Sequence, residues 1–447
     1  MAAPASAGLT DADRQMLLDA ARTAWAYADA NYNPATGWIN SVEEYEYATV
    51  WDIGSGLMAL YCADQLDLLD GDEYDRRMRR ALQSLIDARL FEGAAFNKMY
   101  NTRTGAIAGR AGQESTTTER GYGWSVTDIG RLLAVLRVID QTQPQYRDLM
   151  TQIVNRLDYG RLIQGGYLRG EDLNRSGRLR RYQEGRVGYE QYAAAGFAAW
   201  GRTAENALNL GRNTYPVPVL GVPVMGDRRG DEHLTSEPFV MMGLELGWTP
   251  EIRTLAANVL AAQEARWKQT GTVTIVNEDA LTGPPYFLYY SVYSSRRPFA
   301  VEAPAGAPRG PTPRTVSVKA AHGWHALLPS DYTRLGVDRV QGARSAQGWG
   351  AGVFEESGRV SGGRNVNTAA IVMEAALYAQ RRDNIQRRTS KHLILFISQC
   401  NSRRYYYTVA CMNTHRVKVF HRTNGNNISY TVTHYLKLYF FPTGYTL

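Results

Sequence analysis

The chain has 447 residues, 44% hydrophobic and 21% charged, enough apolar content for a large core and too much for a disordered chain. Its net charge of +7 misleads, because all 43 acidic residues but only 41 of the 50 basic ones precede Asn384. Residues 1–383 are therefore nearly neutral and lack the cationic surface of a nucleic-acid binder.

Residues 1–9 read as a flexible lead without the basic and apolar regions of an intact signal peptide, although Ala-Ser-Ala resembles a cleavage site. Thr10 followed by Asp13 forms a capping-box pattern ahead of Met16, Leu17, Ala20, Ala21 and Ala24 at helical spacing, which predicts a helix over 10–31. The same pattern predicts helices over 52–69, 74–88, 126–140, 145–159, 189–202, 236–246, 249–266, 317–328, 331–343 and 367–379, with one strand-like stretch at 271–276. Trp51-Asp52-Ile53-Gly54 is echoed by Trp124 with Asp128-Ile129-Gly130, each where a loop becomes a helix. Helical pairs that cannot bury their own apolar faces must stack or close. The expected fold is all-α, an (α/α)6 toroid over 10–382. No stretch reaches the ~20 apolar residues of a membrane span.

Residues 383–447 read as foreign. The last acid is Asp383, and the runs 393–397 and 435–441 are apolar and β-prone. A shift of reading frame, a recombination or a junction accounts for the switch better than a small second β domain, and the foreign tail is expected to be frameshifted or disordered.

Three segments carry the chemistry. In the first, Asp52 stands at a helix start beside Trp51; it is either a cap or a cleft acid that binds a sugar hydroxyl. The second gathers Asn97, Lys98, Tyr100 and Arg103, suited to a polar ligand or to a self-satisfied loop. The third sets Glu184 and Glu190 among Tyr182, Tyr189 and Tyr192. A carboxyl desolvated by aromatic surface becomes a proton donor, and glycoside hydrolysis needs one protonated and one ionised carboxyl. Glu190 is the first choice for the donor, while Glu184 reads more simply as a salt bridge to Arg181 or Arg186. Asp128, Glu237 and Asp279 join Asp52 as candidates for the base or for positioning water. Trp124, Tyr286, Tyr289, Trp324 and Trp349 are candidate stacking platforms, each also a candidate for the core. No phosphate loop, nucleophile elbow or metal trio is evident, so neither a cofactor nor a metal is expected. The composition does not address oligomeric state.

The segments WDIGSGLMAL, FNKMYNTRTG, GYGWSVTDIGRLL, YQEGRVGYEQYAAAGFAAWG, SEPFVMMGLELGW, NEDALTGPPYFLYYSVY, AAHGWHALLP and GWGAGVFEESG resemble, in order from about Thr10 to Tyr378, a bacterial family of unknown function. That family is distantly similar to glycoamylase-like domains, including β-1,2-glucan hydrolases and the transglycosylase part of cyclic glucan synthases. The resemblance implies an (α/α)6 toroid in the periplasm or cell envelope. It implies a glycoside hydrolase or transglycosylase, typically inverting, acting on a β-glucan or related oligo- or polysaccharide. The alternative is a non-catalytic polysaccharide-binding module of a synthesis or export system.

Overall fold

The computed structural model describes residues 8–109, 120–174, 176–229 and 233–389, and four strands between 393 and 432. The chain divides into two compact units, 1–379 and 380–447.

Every helix expected in the first unit is present. The apolar pattern separates two kinds. Val126–Thr142 is buried nearly all round, through Val126, Ile129, Leu132, Leu133, Val135 and Leu136. A helix apolar on every side belongs inside. Gly71–Asp87 instead buries one stripe, Tyr74, Met78, Ala81, Leu82 and Leu85, and leaves the rest to charged residues. The inner helices pack in sequence: Val50–Gln65 on Val126–Thr142, then Tyr189–Ala198, Glu237–Glu245 and Val318–Leu327. Val366–Thr389 rejoins the first of them, since Asn367 donates to Asp52 at 2.9 Å. Asp11–Ala30, Gly71–Asp87, Pro250–Thr270 and Asp331–Arg339 each flank an inner helix.

Two glycines set the closest approach. A Cβ on Gly130 would lie 2.5 Å from that of Ala193, and one on Gly196 would run into the Gly130 carbonyl. Helices 126–142 and 189–198 therefore touch backbone to backbone, which any larger residue would prevent.

Much of the connecting chain forms hairpins that the apolar periodicity did not announce. Tyr167–Leu173 pairs with Leu179–Gln183, and Thr214–Val219 with Val222–Asp227. The second hairpin places Pro218 opposite Pro223, and proline in an apolar run ordinarily counts against a strand. The expected strand at 271–276 is a correction, because no ladder forms there and the pairing begins at Glu278–Ala280. Side chains satisfy that backbone instead, as when Gln263 accepts from the Val276 amide at 2.8 Å.

The second unit contains four antiparallel strands, Leu393–Asn401, Arg404–Asn413, Arg416–Thr423 and Asn426–Val432, in sequential order. The apolar run 393–397 lies in the first strand, whereas 435–441 and residues 1–7 fall outside the described residues.

Candidate active site

The inner helices begin with an unusual set of side chains. Asp52 and Asp128 are each third in their helix, Glu190 and Asn367 second, Glu237 first and Lys319 second. Acids are favoured at helix N-termini, where exposed amides carry partial positive charge. A lysine there is disfavoured, so Lys319 marks a place where something else sets the charge.

Two carboxyl clusters meet along these ends. In the first, Ser125 Oγ donates to Asp128 at 2.8 Å while Glu184 accepts from the Val126 amide at 2.6 Å. Asp128 is half-buried. Burial, then the charges of Glu184 and Asp52, push its carboxyl up to about 7, against the opposing pull of Ser125 and Lys98. Burial raises Glu184 too, opposed by Lys98 and the Val126 amide. Lys98 Nζ donates to the Tyr182 hydroxyl at 2.9 Å, which brings Lys98, Tyr182, Glu184 and Asp128 onto one wall.

In the second cluster Lys319, 4% exposed, is bound to Glu237 and lies 3.7 Å from Asp279. Burial pushes Asp279 up to about 7, countered chiefly by Lys319. Burial also raises Glu237, again countered by Lys319. For Lys319 burial works against the charge, but Glu237 and Asp279 outweigh it and keep the ammonium protonated. Glu278, next in the chain, is held by Arg186 at 2.9 and 3.0 Å. Asp52 links the clusters, since its charge acts on Asp128 while it feels Lys319.

Asp52 spends its acceptor capacity on structure. Its Oδ2 receives the Thr49 amide and hydroxyl, completing a capping box, and its Oδ1 receives Asn367.

Beneath the helix starts, Arg131 is fully buried and gathers five inner helices. It donates to Tyr192 at 2.7 Å, to Glu245, to Ser55 at 3.4 Å and to Glu374 at 3.3 Å. Its guanidinium also stands 5.8 Å over the Trp51 ring, which packs at 5.5 Å against Tyr189. Trp51, half-buried, keeps a face for stacking. Arg186 lies 4.3 Å over Tyr189 and 5.2 Å over Tyr289, and Tyr289 stacks on His233 at 4.2 Å.

Several expected site residues are placed elsewhere. Glu190 is fully buried and held in an ion pair by Arg229 at 2.5 Å, away from the two clusters. Glu184 pairs with neither Arg181 nor Arg186, which bind Glu171 and Glu278. Asn97 is buried and clamps its own loop through the Met99 and Ala108 carbonyls. Tyr100 is buried, and its hydroxyl donates to the Arg89 carbonyl at 2.7 Å. Arg103 is exposed and pairs with Glu46. Trp124, Tyr192, Trp324 and Trp349 offer no stacking face, having 2% exposure or less. Tyr286 is 54% exposed at a turn. Lys319, Arg131 and Asn367 were missed. The signal for Lys319 was available: a lone cation in an otherwise apolar helix start, Val318-Lys319-Ala320-Ala321.

The family model described as "Protein of unknown function (DUF3131)" matches residues 19–382. The chain belongs to the DUF3131 family. No curated protein sequence matches this DUF3131 chain significantly. Solved structures do resemble it. An endo-β-1,2-glucanase from Chitinophaga pinensis, in complex with sophorotriose and glucose, aligns over 83% of this chain and 93% of its own with a TM-score of 0.58 at 12% identity. A proposed glucoamylase from Bacteroides caccae aligns over 83% and 94%, with a TM-score of 0.57 and 14% identity. A mutant endo-β-1,2-glucanase from Talaromyces funiculosus, in complex with β-1,2-glucan, aligns over 83% and 87%, with a TM-score of 0.55 and 11% identity. At such identities the likeness establishes a shared glucoamylase-like fold.

Proposed function

We propose that the six inner helices close an (α/α)6 toroid whose N-terminal ends hold a glycoside hydrolase or transglycosylase site. The substrate is a β-glucan or related polysaccharide, and the setting is the periplasm or cell envelope. The observation that carries this reading is the pairing of environments. Asp128 holds its proton near neutral pH because burial and two neighbouring acids oppose its ionisation. In the second cluster burial raises Glu237 and Asp279 too, Asp279 to about 7. There an ammonium, bound to Glu237 and 3.7 Å from Asp279, opposes the rise and favours the ionised form. Glycoside cleavage requires one carboxyl as an acid and another as a base, and the ammonium present in one cluster is what sets the two apart.

In this mechanism Asp128 gives its proton to the leaving glycosidic oxygen as the C–O bond breaks. A carboxylate of the Lys319 wall takes a proton from water attacking the anomeric carbon on the opposite face, which inverts its configuration. Trp51 stacks on a sugar ring, and Tyr182, Lys98 and Glu184 line the side of the donor. The test is incubation of the protein with β-1,2-, β-1,3-, β-1,4- and β-1,6-glucans, following reducing ends. Turnover by the wild type and its loss in Asp128→Asn support the reading, and undiminished turnover in that variant overturns it.

A further inference from the structure

Asp279 and Glu237 share one ammonium unequally. Glu237 is bound to Lys319 directly and to Asn277, which donates to it at 3.3 Å and accepts from its amide at 2.9 Å. Asp279 stands off at 3.7 Å and is 3% exposed; the Ser317 hydroxyl acts on it, but no donor among the described residues makes a close hydrogen bond to either oxygen. Buried acceptors are almost always satisfied, so two carboxylate oxygens without a close donor point to a donor that arrives from outside the chain. Lys319 itself occupies a position that costs stability twice over, buried and against the positive end of a helix. Four carboxyls face it: Asp52 from helix 50–65, Glu237 from helix 237–245, and Glu278 and Asp279 from strand 278–280. Arg131 acts on Glu237, and Arg186 occupies Glu278.

We propose that Lys319 is the positioning residue that makes Asp279, rather than Glu237, the carboxylate that takes the proton of the attacking water. Glu237 commits its Oε2 to the ammonium and to Asn277. Asp279 is close enough for its charge to be supported, and its buried oxygens, without a close donor, are left for a water or a substrate hydroxyl to satisfy. In the balanced step the water oxygen bonds to the anomeric carbon, its proton passes to Asp279, the glycosidic bond breaks, and its oxygen takes the proton of Asp128. Solvent then restores both carboxyls. With a sugar hydroxyl in place of water, the same proton transfer gives a new glycoside. This assignment rests on the acid/base reading above.

A unit charge removed from 3.7 Å should move a carboxyl midpoint by about one to three pH units in a partly screened site. The experiment compares wild type with Lys319→Met, Lys319→Gln and Lys319→Arg. Infrared titration of 13C-labelled aspartate is read together with the pH profile of kcat/KM on whichever glucan is turned over, and Asp279→Asn identifies the Asp279 band. The expected result is a rise of the Asp279 midpoint by a unit or more in Met and Gln. The acidic limb of kcat/KM should follow it, with KM little changed, and Arg should restore both. Lys319→Gln keeps a hydrogen bond to Glu237 and supplies the titration if the Met variant does not fold. An unmoved Asp279 midpoint, or a kcat/KM lowered by one factor at every pH, overturns the role of Lys319. A wild type inactive on every glycan sinks the hydrolase reading instead, while the titration still decides whether Lys319 governs Asp279.

Discussion

Arg131 offers the sharpest test of how the inner helices are held. Its guanidinium is fully buried, and the side chains of its two carboxyl partners, Glu245 and Glu374, keep 0% and 2% exposure. One cation cannot neutralise two carboxylates, so one acid keeps its proton. That acid is Glu374, which burial and the neighbouring Glu245 hold well above the usual carboxylate range. Arg131→Met strands Glu245 without a counter-ion, which costs about 3–5 kcal/mol. For a unit spanning residues 1–379, an unfolding entropy of roughly 0.8 kcal/mol/K makes that a fall in Tm of roughly 4–6 °C. Glu374→Gln should behave in the opposite way. A carboxyl raised in the folded state stabilises fully below its unfolded pKa and loses that contribution as pH rises toward the folded value, because folding must then take up a proton. Glutamine needs no proton, so this variant should match wild type at pH 5 and gain on it by pH 8. Calorimetry at the two pH values reads both effects. A wild-type Tm for Arg131→Met, or a Glu374→Gln deficit that widens with pH, would refute this charge assignment.

Other expectations follow from the same geometry. Asp128 acts as donor only while protonated, so kcat/KM should fall as pH rises through about 7. Ser125→Ala removes the hydroxyl that favours the ionised form, so a pH–rate profile should show this alkaline limb moved to higher pH. Thr49→Ala breaks the capping box of helix 50–65 and should cost about 1 kcal/mol by chemical denaturation, more than an exposed substitution. Removing residues 384–447 should leave the Tm of the remaining unit within about 1 °C of the full chain, since the family match ends at residue 382.

The helices were legible because their apolar spacing is intact and their caps are explicit. Thr10, Thr49, Ser125 and Thr249 each accept an amide at a predicted helix start. The Trp51-Asp52 and Trp124…Asp128 echo also placed both aspartates at the same turn of two inner helices. What local pattern could not convey was the partner across the fold. Glu190 and Asp128 look alike as acids among aromatics, yet Arg229 closes one and Glu184 crowds the other. The aromatic residues were ambiguous for the same reason, since stacking faces and core fillers share a composition. Trp51 is half-buried beside Tyr189 and Arg131 whereas Trp324 is sealed. Lys319 meets acids lying 82 residues before it (Glu237) and 40 before it (Asp279), a juxtaposition that exists only once the helices assemble.

The central claim is that Asp128 and a carboxylate of the Lys319 wall cleave a glycosidic bond together. It is met most directly by proton NMR of the anomeric signals while the wild-type protein digests a β-linked glucan. The expected first product is the α-anomer, absent with Asp128→Asn and with Asp279→Asn. A first product that is the β-anomer contradicts the proposed inversion. A glucan bound but never cut, at any pH between 5 and 8, contradicts catalysis itself and leaves a polysaccharide-binding module in its place.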